Sequence, residues 1–380
     1  MAKVERKIGV LVGHPTQFEV PFYRFVSSDS NNSLRVIYWN TARSRKNVDE
    51  ELSREVDWGM DLFGGYSSVV MPERKRVSWL YREIKEQKFD LFIVNGYSRP
   101  ELIAAAVMAR RLGCKVALRL DSVMSANRYG AKALAKKILL PILFSSYRAF
   151  FAIGSLTRQY LLKHNVPPER IHYFTYAVDH AWFRKRSSLT TGEGIELKNQ
   201  LGLSGKKKLV LAVAKFSPRE TPWDLLRAAV IMERDDVEFL IVGDGEEKEK
   251  VRQFTSAHAR ARIAVPGYVP YVDLPRYYGI ADVFVHAAKV EPYGVSVAEA
   301  LASGLAVIAS STVGAANDLI VQGHNGYVYK SGETDQLVRY LEHILDSTDW
   351  TEVRNTSDAV LRKWGYESTW EAVLECLNQD

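Results

Sequence analysis

The stretch from Val283 to Ala309 reads Val283-Phe284-Val285-His286-Ala287-Ala288-Lys289-Val290-Glu291-Pro292-Tyr293-Gly294-Val295-Ser296-Val297-Ala298-Glu299-Ala300-Leu301-Ala302-Ser303-Gly304-Leu305-Ala306-Val307-Ile308-Ala309. A short apolar run, Val283–His286, makes a buried strand. A Pro-Gly loop follows, and the residues after Gly294 open a helix at Val295 that runs to Ala302. Ser303-Gly304 stops the helix, and Ala306–Ala309 is a second strand. Strand, crossover helix and strand in that order form a parallel unit covered on both faces.

The same alternation extends in both directions. Strands are expected at Ile8–Val12, Leu34–Trp39, Asp90–Val94, Val116–Leu120, Ala149–Ile153 and Ile171–Phe174, then at Lys208–Val213, Val237–Val242 and Ile263–Val265. Helical patterns lie between them, at Arg99–Leu112, Lys132–Ser145 and Trp223–Glu233, and an amphipathic helix closes the chain at Glu367–Asn378. The alternation occurs twice, which predicts an α/β protein with two parallel-sheet domains. Residues 184–207, with Arg184-Lys185-Arg186-Ser187-Ser188 and the glycines 192, 194, 202 and 205, read as the linker. The domains are therefore expected at 1–185 and 186–362, with a C-terminal helix at 363–380. A length of 380 residues agrees with two domains.

Composition excludes several classes. With 47% hydrophobic and 25% charged residues and no low-complexity tract, the chain is neither disordered nor fibrous. Two cysteines, Cys114 and Cys376, make no disulfide framework and no Cys-rich metal site, and point to a reducing, cytoplasmic setting. No signal peptide and no run of 18 apolar residues is seen, so any membrane contact is expected to be peripheral, at the inner face. Charge is unevenly shared. Residues 1–185 carry 30 Lys/Arg against 17 Asp/Glu, whereas residues 186–380 carry 21 against 28. The basic half suits an anionic partner. Its loops Arg43-Ser44-Arg45-Lys46 and Arg74-Lys75-Arg76 carry no nucleic-acid motif, and nucleic acid is not expected as a partner.

The chemistry concentrates around two carboxylates eight residues apart, Glu291 and Glu299. Backbone N–H groups at Gly294–Val297 make the positive end of a helix, where a diphosphate is held without a metal. Glu291 lies on the loop before that site, and Glu299 is expected to face the same cleft and accept bonds from vicinal hydroxyls. A second reading fits the spacing equally: strand–Gly–helix turns occur in any α/β protein, and a Glu near a helix start complements the dipole.

Neighbouring residues separate the two readings. Ser303-Gly304-Leu305-Ala306-Val307-Ile308 follows the helix, then Val313-Gly314-Ala315-Ala316-Asn317-Asp318 and Gly323-His324-Asn325-Gly326. Upstream lie Gly243-Asp244-Gly245, Gly267-Tyr268-Val269 and Leu274–Asp282; earlier still, Phe151–Ser155 and Asn165–Ile171. Jointly these resemble family 4 of the glycosyltransferases, retaining enzymes of the GT-B fold whose hallmark is E-x7-E. The resemblance implies two Rossmann-like domains facing across a cleft, with the last helix packing back on the first domain.

It also implies roles. Glu299 is similar to the residue that binds the nucleotide ribose, and Glu291 to one that contacts the donor sugar. The backbone N–H groups of Tyr293, Gly294 and Val295 would hold sugar and diphosphate; Tyr268 stands where the base is recognised, and Gly243 belongs to the family's VGDG-like loop. Lys215 occupies the basic position whose cation neutralises the leaving diphosphate. One departure stands out: the family usually carries a Lys five residues after that position, and here it is Glu220, with Arg219 beside it. Milder departures are Ala315 and the pair Asn317-Asp318.

In the first half, Gly13-His14-Pro15-Thr16-Gln17-Phe18 follows the first strand, Asn95-Gly96-Tyr97 ends another, and Arg119-Leu120-Asp121 a third. Carboxyl ends of parallel strands are where such sheets bind ligands. His14, Gln17, Asn95 and Arg119 are thus sugar or acceptor candidates, and Asp121 a candidate beside the reacting sugar. For His14 a structural role, and for Asp121 a helix N-cap, remain the other readings. Lys132–Phe144 is basic and amphipathic at its start, and reads either as a membrane-surface helix or as a core helix with a solvated Lys face.

The sequence therefore predicts a retaining, metal-independent glycosyltransferase with no cofactor. It would move a sugar from a nucleotide-sugar, UDP before GDP by family frequency, to a glycan, lipid-linked or other anionic acceptor in bacterial-type envelope or polysaccharide biosynthesis. No D-x-D triplet occurs. A nucleotide-sugar-binding protein with weak or lost activity, because of Glu220, is the second hypothesis. A dinucleotide oxidoreductase is excluded, since Gly9 and Gly13 do not make G-x-G-x-x-G after the first strand.

Overall fold

The computed structural model describes residues 6–40, 48–49, 54–55, 58–123 and 139–378. The chain forms two compact units, Met1–Asn47 with Asp61–Ala177 and Tyr366–Asp380, and Val48–Met60 with Val178–Gly365. Strands in chain order are β1 (Arg6–Val12), β2 (Asn32–Tyr38), β3 (Val48–Asp49), β4 (Arg54–Glu55), β5 (Ser67–Val70), β6 (Leu91–Asn95), β7 (Lys115–Leu120), β8 (Ala149–Ala152) and β9 (Ile171–Tyr173). Then follow β10 (Lys208–Val213), β11 (Val237–Val242), β12 (Ile263–Gly267), β13 (Val283–His286), β14 (Ala306–Ser310) and β15 (Gly326–Tyr329).

The first unit is a seven-stranded sheet ordered β5-β2-β1-β6-β7-β8-β9, and all its pairs are parallel. Both faces are apolar, as a parallel sheet requires. Alternate residues go to opposite sides. Leu11, Phe92, Val94 and Leu118 pack with Leu80, Leu102 and Ala105 from helices Arg76–Gln87 and Pro100–Arg111. Val10, Val12, Leu91 and Ile93 pack with Phe22 and Val26 from the helix Glu19–Ser27.

The C-terminal helix Tyr366–Asn378 covers that second face, as the resemblance implied. Tyr366, Val373 and Cys376 join its core. The ring of Tyr366 lies 5.6 Å from that of Phe22, Thr369 Oγ1 is 3.1 Å from Thr175 Oγ1, and Lys115 Nζ donates to Leu377 O at 2.8 Å.

The second unit is a six-stranded parallel sheet ordered β12-β11-β10-β13-β14-β15. Its core joins Val210, Ala212, Ile241, Val285 and Ile308 to Leu225 and Leu226 of helix Trp223–Ile231 and to Leu337, Leu341 and Ile344 of helix Thr334–Ser347. In each unit the chain winds first to one side and then to the other. The reversal falls between β1 and β6 in the first unit and between β10 and β13 in the second.

The expected linker at 184–207 is a correction. Two helices, His180–Ser187 and Thr191–Gln200, occupy most of it, and the first unit ends at Ala177. Capping explains why glycines 192 and 194 do not break the second of them. The Thr190 side chain accepts from the Glu193 N–H while Glu193 accepts from the Thr190 N–H, a reciprocal cap legible as T-x-x-E. Asp179 likewise caps the first helix by accepting from the Trp182 N–H at 2.9 Å. Residues 132–138 of the basic stretch Lys132–Phe144, and Arg43–Lys46, lie outside the described residues. In the described turn, Leu140 and Phe144 are buried in the core while Leu139 and Ile142 are exposed.

Candidate functional site

In an open parallel sheet, ligands bind at the carboxyl ends of the strands where the strand order reverses. In the second unit that point lies between β10 and β13, and the loops there are laced together. Phe216 N–H, just beyond β10, donates to Asp244 O at 2.8 Å, and Glu247 N–H donates back to Phe216 O at 2.8 Å. The approach is close enough that a Cβ on Gly243 would stand 2.0 Å from Ala214 O, so glycine is required. Across the reversal, Lys289 and Val290 N–H both donate to Arg219 O, at 2.7 and 3.2 Å. From β14, the hydroxyls of Ser310 and Thr312 donate to Ala288 O, at 2.5 and 2.7 Å.

That lacing fixes the Glu291 loop. Glu291 N–H donates to Thr312 O at 3.3 Å, Gly314 N–H to Glu291 O at 3.0 Å, and Ala315 N–H to Tyr293 O at 2.6 Å. Gly294 has φ +93°, in the left-handed region, and turns the chain into the helix Val295–Ala302. Nothing larger fits, because a Cβ there would meet Val313 Cγ1 at 2.7 Å and His286 Nε2 at 2.9 Å. Burial keeps His286 neutral, lowering its pKa to about 4.

Two expectations are refined. The Tyr293 N–H donates to Glu291 Oε1 at 3.3 Å and the Val297 N–H to Gly294 O at 3.1 Å. The amides that remain at the helix start are those of Gly294, Val295 and Ser296. Glu299, expected to face the ligand, is only 5% exposed, and Tyr278 Oη donates to its Oε2 at 2.8 Å. Burial raises its pKa to about 7, with the Tyr278 bond opposing the rise. Tyr278 is itself held by Phe183 of the helix His180–Ser187, ring to ring at 6.0 Å, and a Cβ on Gly279 would stand 2.2 Å from Ser187 O. The helix His180–Ser187, whose end lies in the segment read as a linker, thus packs against the helix that carries Tyr278.

Lys215, Arg219, Gly243, Tyr268, Glu291, Tyr293, Gly294, Val295 and Glu299 all sit on the loops and helix at this one end of the second unit's sheet. Tyr278 was missed as a site residue. The only signal was its place in Leu274–Asp282, because nothing in the spacing pairs it with a carboxylate 21 residues away.

In the first unit, His14 and Gln17 follow β1 and Asn95 ends β6, so they gather at its reversal point. Asp121, at the end of β7, is exposed, with Tyr176 Oη 3.4 Å from its Oδ2. Arg119 is the correction here. It is 1% exposed, its Nη1 donates to Glu19 Oε1, and its other donors reach Phe174 O at 3.2 Å and Thr175 O at 3.3 Å. Its guanidinium lies 4.1 Å from the Phe174 ring centre and 4.8 Å from that of Tyr176. A side chain so enclosed supports the fold and does not reach a ligand. Among the described residues no group of three or more His, Cys, Asp or Glu could hold a metal ion, and no helix is long and apolar enough to cross a membrane.

Residues 195–359, which carry this site, match the family described as glycosyl transferases group 1. It is similar to an alpha-monoglucosyldiacylglycerol synthase of Acholeplasma laidlawii, 30% identical over 162 residues, which are 42% of this chain and 40% of the relative. It also resembles a D-inositol 3-phosphate glycosyltransferase of Thermomonospora curvata, 26% identical over 232 residues, 57% of this chain and 53% of the relative. The chain thus spans about half the length of the curated relatives it matches. A crystal structure of the Anabaena protein HepE with UDP and glucose superposes with a TM-score of 0.75 at 15% identity, covering 98% of this chain and 99% of that one. That likeness establishes the fold, two parallel-sheet α/β domains of the GT-B type.

Proposed function

We propose that the chain transfers a sugar from a nucleotide-sugar, UDP-linked by preference, to a glycan, lipid-linked or other anionic acceptor, with retention of anomeric configuration. The observation that carries this reading is the family-matched second unit, whose reversal point holds a basic residue, Lys215, across from the glycine-opened helix behind Glu291. Donor binding is assigned to that unit. The helix-start amides donate to the diphosphate, Glu299 accepts from the ribose hydroxyls, and Tyr268 meets the base. Retention by two flanking carboxylates needs both glutamates at the reacting bond; Glu299 is buried against Tyr278, so we assign front-face attack with the leaving diphosphate taking the proton. Lys215 then stabilises charge on that leaving group as the sugar–phosphate bond breaks and the bond to the acceptor oxygen forms, an electrostatic contribution that dominates in many enzymes.

His14, Gln17, Asn95 and Asp121 are assigned to the acceptor and the reacting sugar, and the transfer needs no metal or cofactor. A relative named for a glycolipid and another named for a phosphorylated inositol support a lipid or anionic acceptor, in envelope or polysaccharide biosynthesis. The basic surface of the first unit supports peripheral contact with an anionic membrane at its inner face. That unit carries an open groove of about 730 Å³ lined by Glu73, Lys75, Arg76, Val77, Ser78, Tyr81 and Met108, of which Val77 and Tyr81 are exposed. The test is incubation with a panel of UDP- and GDP-sugars and candidate acceptors, with and without EDTA, the anomer of the product being read by NMR. Turnover that requires a divalent ion, or an inverted product, removes that part of the assignment. No transfer from any donor removes the whole.

A further inference from the structure

In the first unit two arginines meet on one tryptophan. Trp39 follows β2 at the carboxyl end of the sheet. Its N–H donates to Val12 O at 3.0 Å, and the N–H of Asn40 donates to Gly13 O at 2.8 Å. The indole ring therefore lies along the end of β1, where a Cβ on Gly13 would stand 3.8 Å from it. Arg76, which opens the helix Arg76–Gln87, donates through Nη2 to the Trp39 carbonyl. Arg99 comes from the other side of β1, after β6, and its guanidinium lies 4.7 Å from the centre of the Trp39 ring. The sheet order here is β2-β1-β6, so Arg99 spans the reversal point.

The backbone holds Arg99 in this reach. Gly96, with φ +89°, turns the loop, its N–H donates to Arg119 O at 2.8 Å, and the Tyr97 hydroxyl is 2.7 Å from that of Tyr160. Pro100 opens the next helix and restricts Arg99 to the extended backbone it has, φ −117° and ψ 136°. The Arg99 side chain is exposed, and among the described residues its guanidinium takes no hydrogen bond and no ion pair. Arg76 forms no ion pair among them either. A guanidinium resting its flat face on a ring keeps its N–H donors in its own plane, clear of the ring. Two cations without a carboxylate thus converge where a parallel sheet takes its ligand.

We infer that Arg99, held on Trp39, binds a phosphate carried by the acceptor, a sugar or polyol phosphate that is either free or a lipid headgroup. This rests on the reading of the first unit as the acceptor side. His14, Gln17, Asn95 and Asp121 include no permanent cation, and Arg119 is spent on Glu19. Arg99 offers the planar fork that meets two phosphate oxygens at once, and Arg76 adds positive potential from a fixed place.

The indole N–H resonance that disappears in Trp39→Phe reports the site. Inositol 3-phosphate, glucose 6-phosphate, dihexanoyl-phosphatidylinositol, inositol, glucose and inorganic phosphate are titrated into the unaltered chain, Arg99→Lys and Arg99→Gln, and UDP affinity is measured in each by calorimetry. A phosphorylated sugar or polyol is expected to shift that resonance. Its affinity should fall about tenfold or more in Arg99→Gln and less in Arg99→Lys, while that for UDP stays within about twofold. Tighter binding of the lipid than of the free phosphates assigns a headgroup, and the reverse a soluble acceptor; either upholds the site. Four results overturn it: no shift from any probe, a neutral sugar binding as tightly as its phosphate, inorganic phosphate matching the best sugar phosphate, or Arg99→Gln matching the unaltered chain. A chain that binds neither UDP nor GDP overturns the donor reading instead, and the Trp39 resonance still decides this one.

Discussion

Tyr278 donates a 2.8 Å hydrogen bond to Glu299, and the two side chains are buried together at the carboxyl end of the second sheet. A carboxylate enclosed in this way carries a pH dependence that an exposed one lacks. Its folded pKa of about 7 lies above the ordinary 4.5. The folded state therefore holds the proton more tightly than the unfolded state, and this contribution to stability is complete at acid pH and lost as pH rises through 7. Glu299→Gln keeps an acceptor for Tyr278 without the charge. It is expected to match the unaltered protein near pH 5 and to exceed it at pH 8, by on the order of 3 kcal/mol. Urea unfolding at both pH values reads the difference, and equal gaps at the two would refute it.

Truncation of the same side chain tests its proposed bond to ribose. Glu299→Ala is expected to weaken UDP binding by about 1.5–3 kcal/mol, or roughly ten- to a hundredfold. Unchanged affinity in a folded variant would sink the assignment.

Gly294 has no permissible substitute. Gly294→Ala combines a left-handed φ of +93° with contacts of 2.7 Å to Val313 and 2.9 Å to His286. The strain at φ alone is about 1–3 kcal/mol, so a fall of several degrees in Tm is expected together with loss of the helix-start amides. A Tm within one degree of the parent would contradict the geometry.

The ion pair of Arg119 with Glu19 makes a different prediction. Leaving one charge of a buried pair uncompensated costs about 3–5 kcal/mol, whereas apolar replacement of both is often near neutral. Arg119→Met is therefore expected to be severely destabilised, and Glu19→Leu/Arg119→Met markedly less so, by chemical unfolding. Additive losses in the double variant would mean that the two residues act separately.

Contact of the first unit with anionic membranes should depend on salt. Binding to phosphatidylglycerol-containing vesicles at 50 mM salt is expected to fall steeply by 500 mM, since screening shortens the Debye length to a few ångströms. Val77→Asp, at a side chain 62% exposed beside the groove, should weaken it further. Sedimentation with neutral vesicles alone, or binding indifferent to salt, would leave the basic surface without this role.

Much of the architecture was legible because parallel strands buried on both faces are short apolar runs, as at Val237–Val242, and their alternation with helices admits few folds. The helices His180–Ser187 and Thr191–Gln200 were not legible, because glycines and a basic cluster outweighed a capping box that decides the local structure. The gathering of Lys215, Gly243, Glu291 and Gly294 at one end of the second sheet was legible as a motif, since strand ends and backbone turns at fixed spacing set it. Arg119 misled for the opposite reason. It stands at a strand end where ligands bind, but its partners Glu19, Phe174 and Thr175 come from distant parts of the chain, and no local pattern records them. Tyr278 and its bond to Glu299 were hidden in the same way.

The C-terminal helix has a consequence for biosynthesis. Because Tyr366–Asn378 supplies part of the first unit's core, that unit is discontinuous, with Val178–Gly365 of the second unit inserted before its last element. During synthesis the second unit is complete while the first still exposes the apolar face on which Phe22, Phe174 and Ala177 wait for Tyr366 and Val373. The order of closure is thus reversed from the order of the chain: the half made first is the last to close, and only once Tyr366–Asn378 has been made.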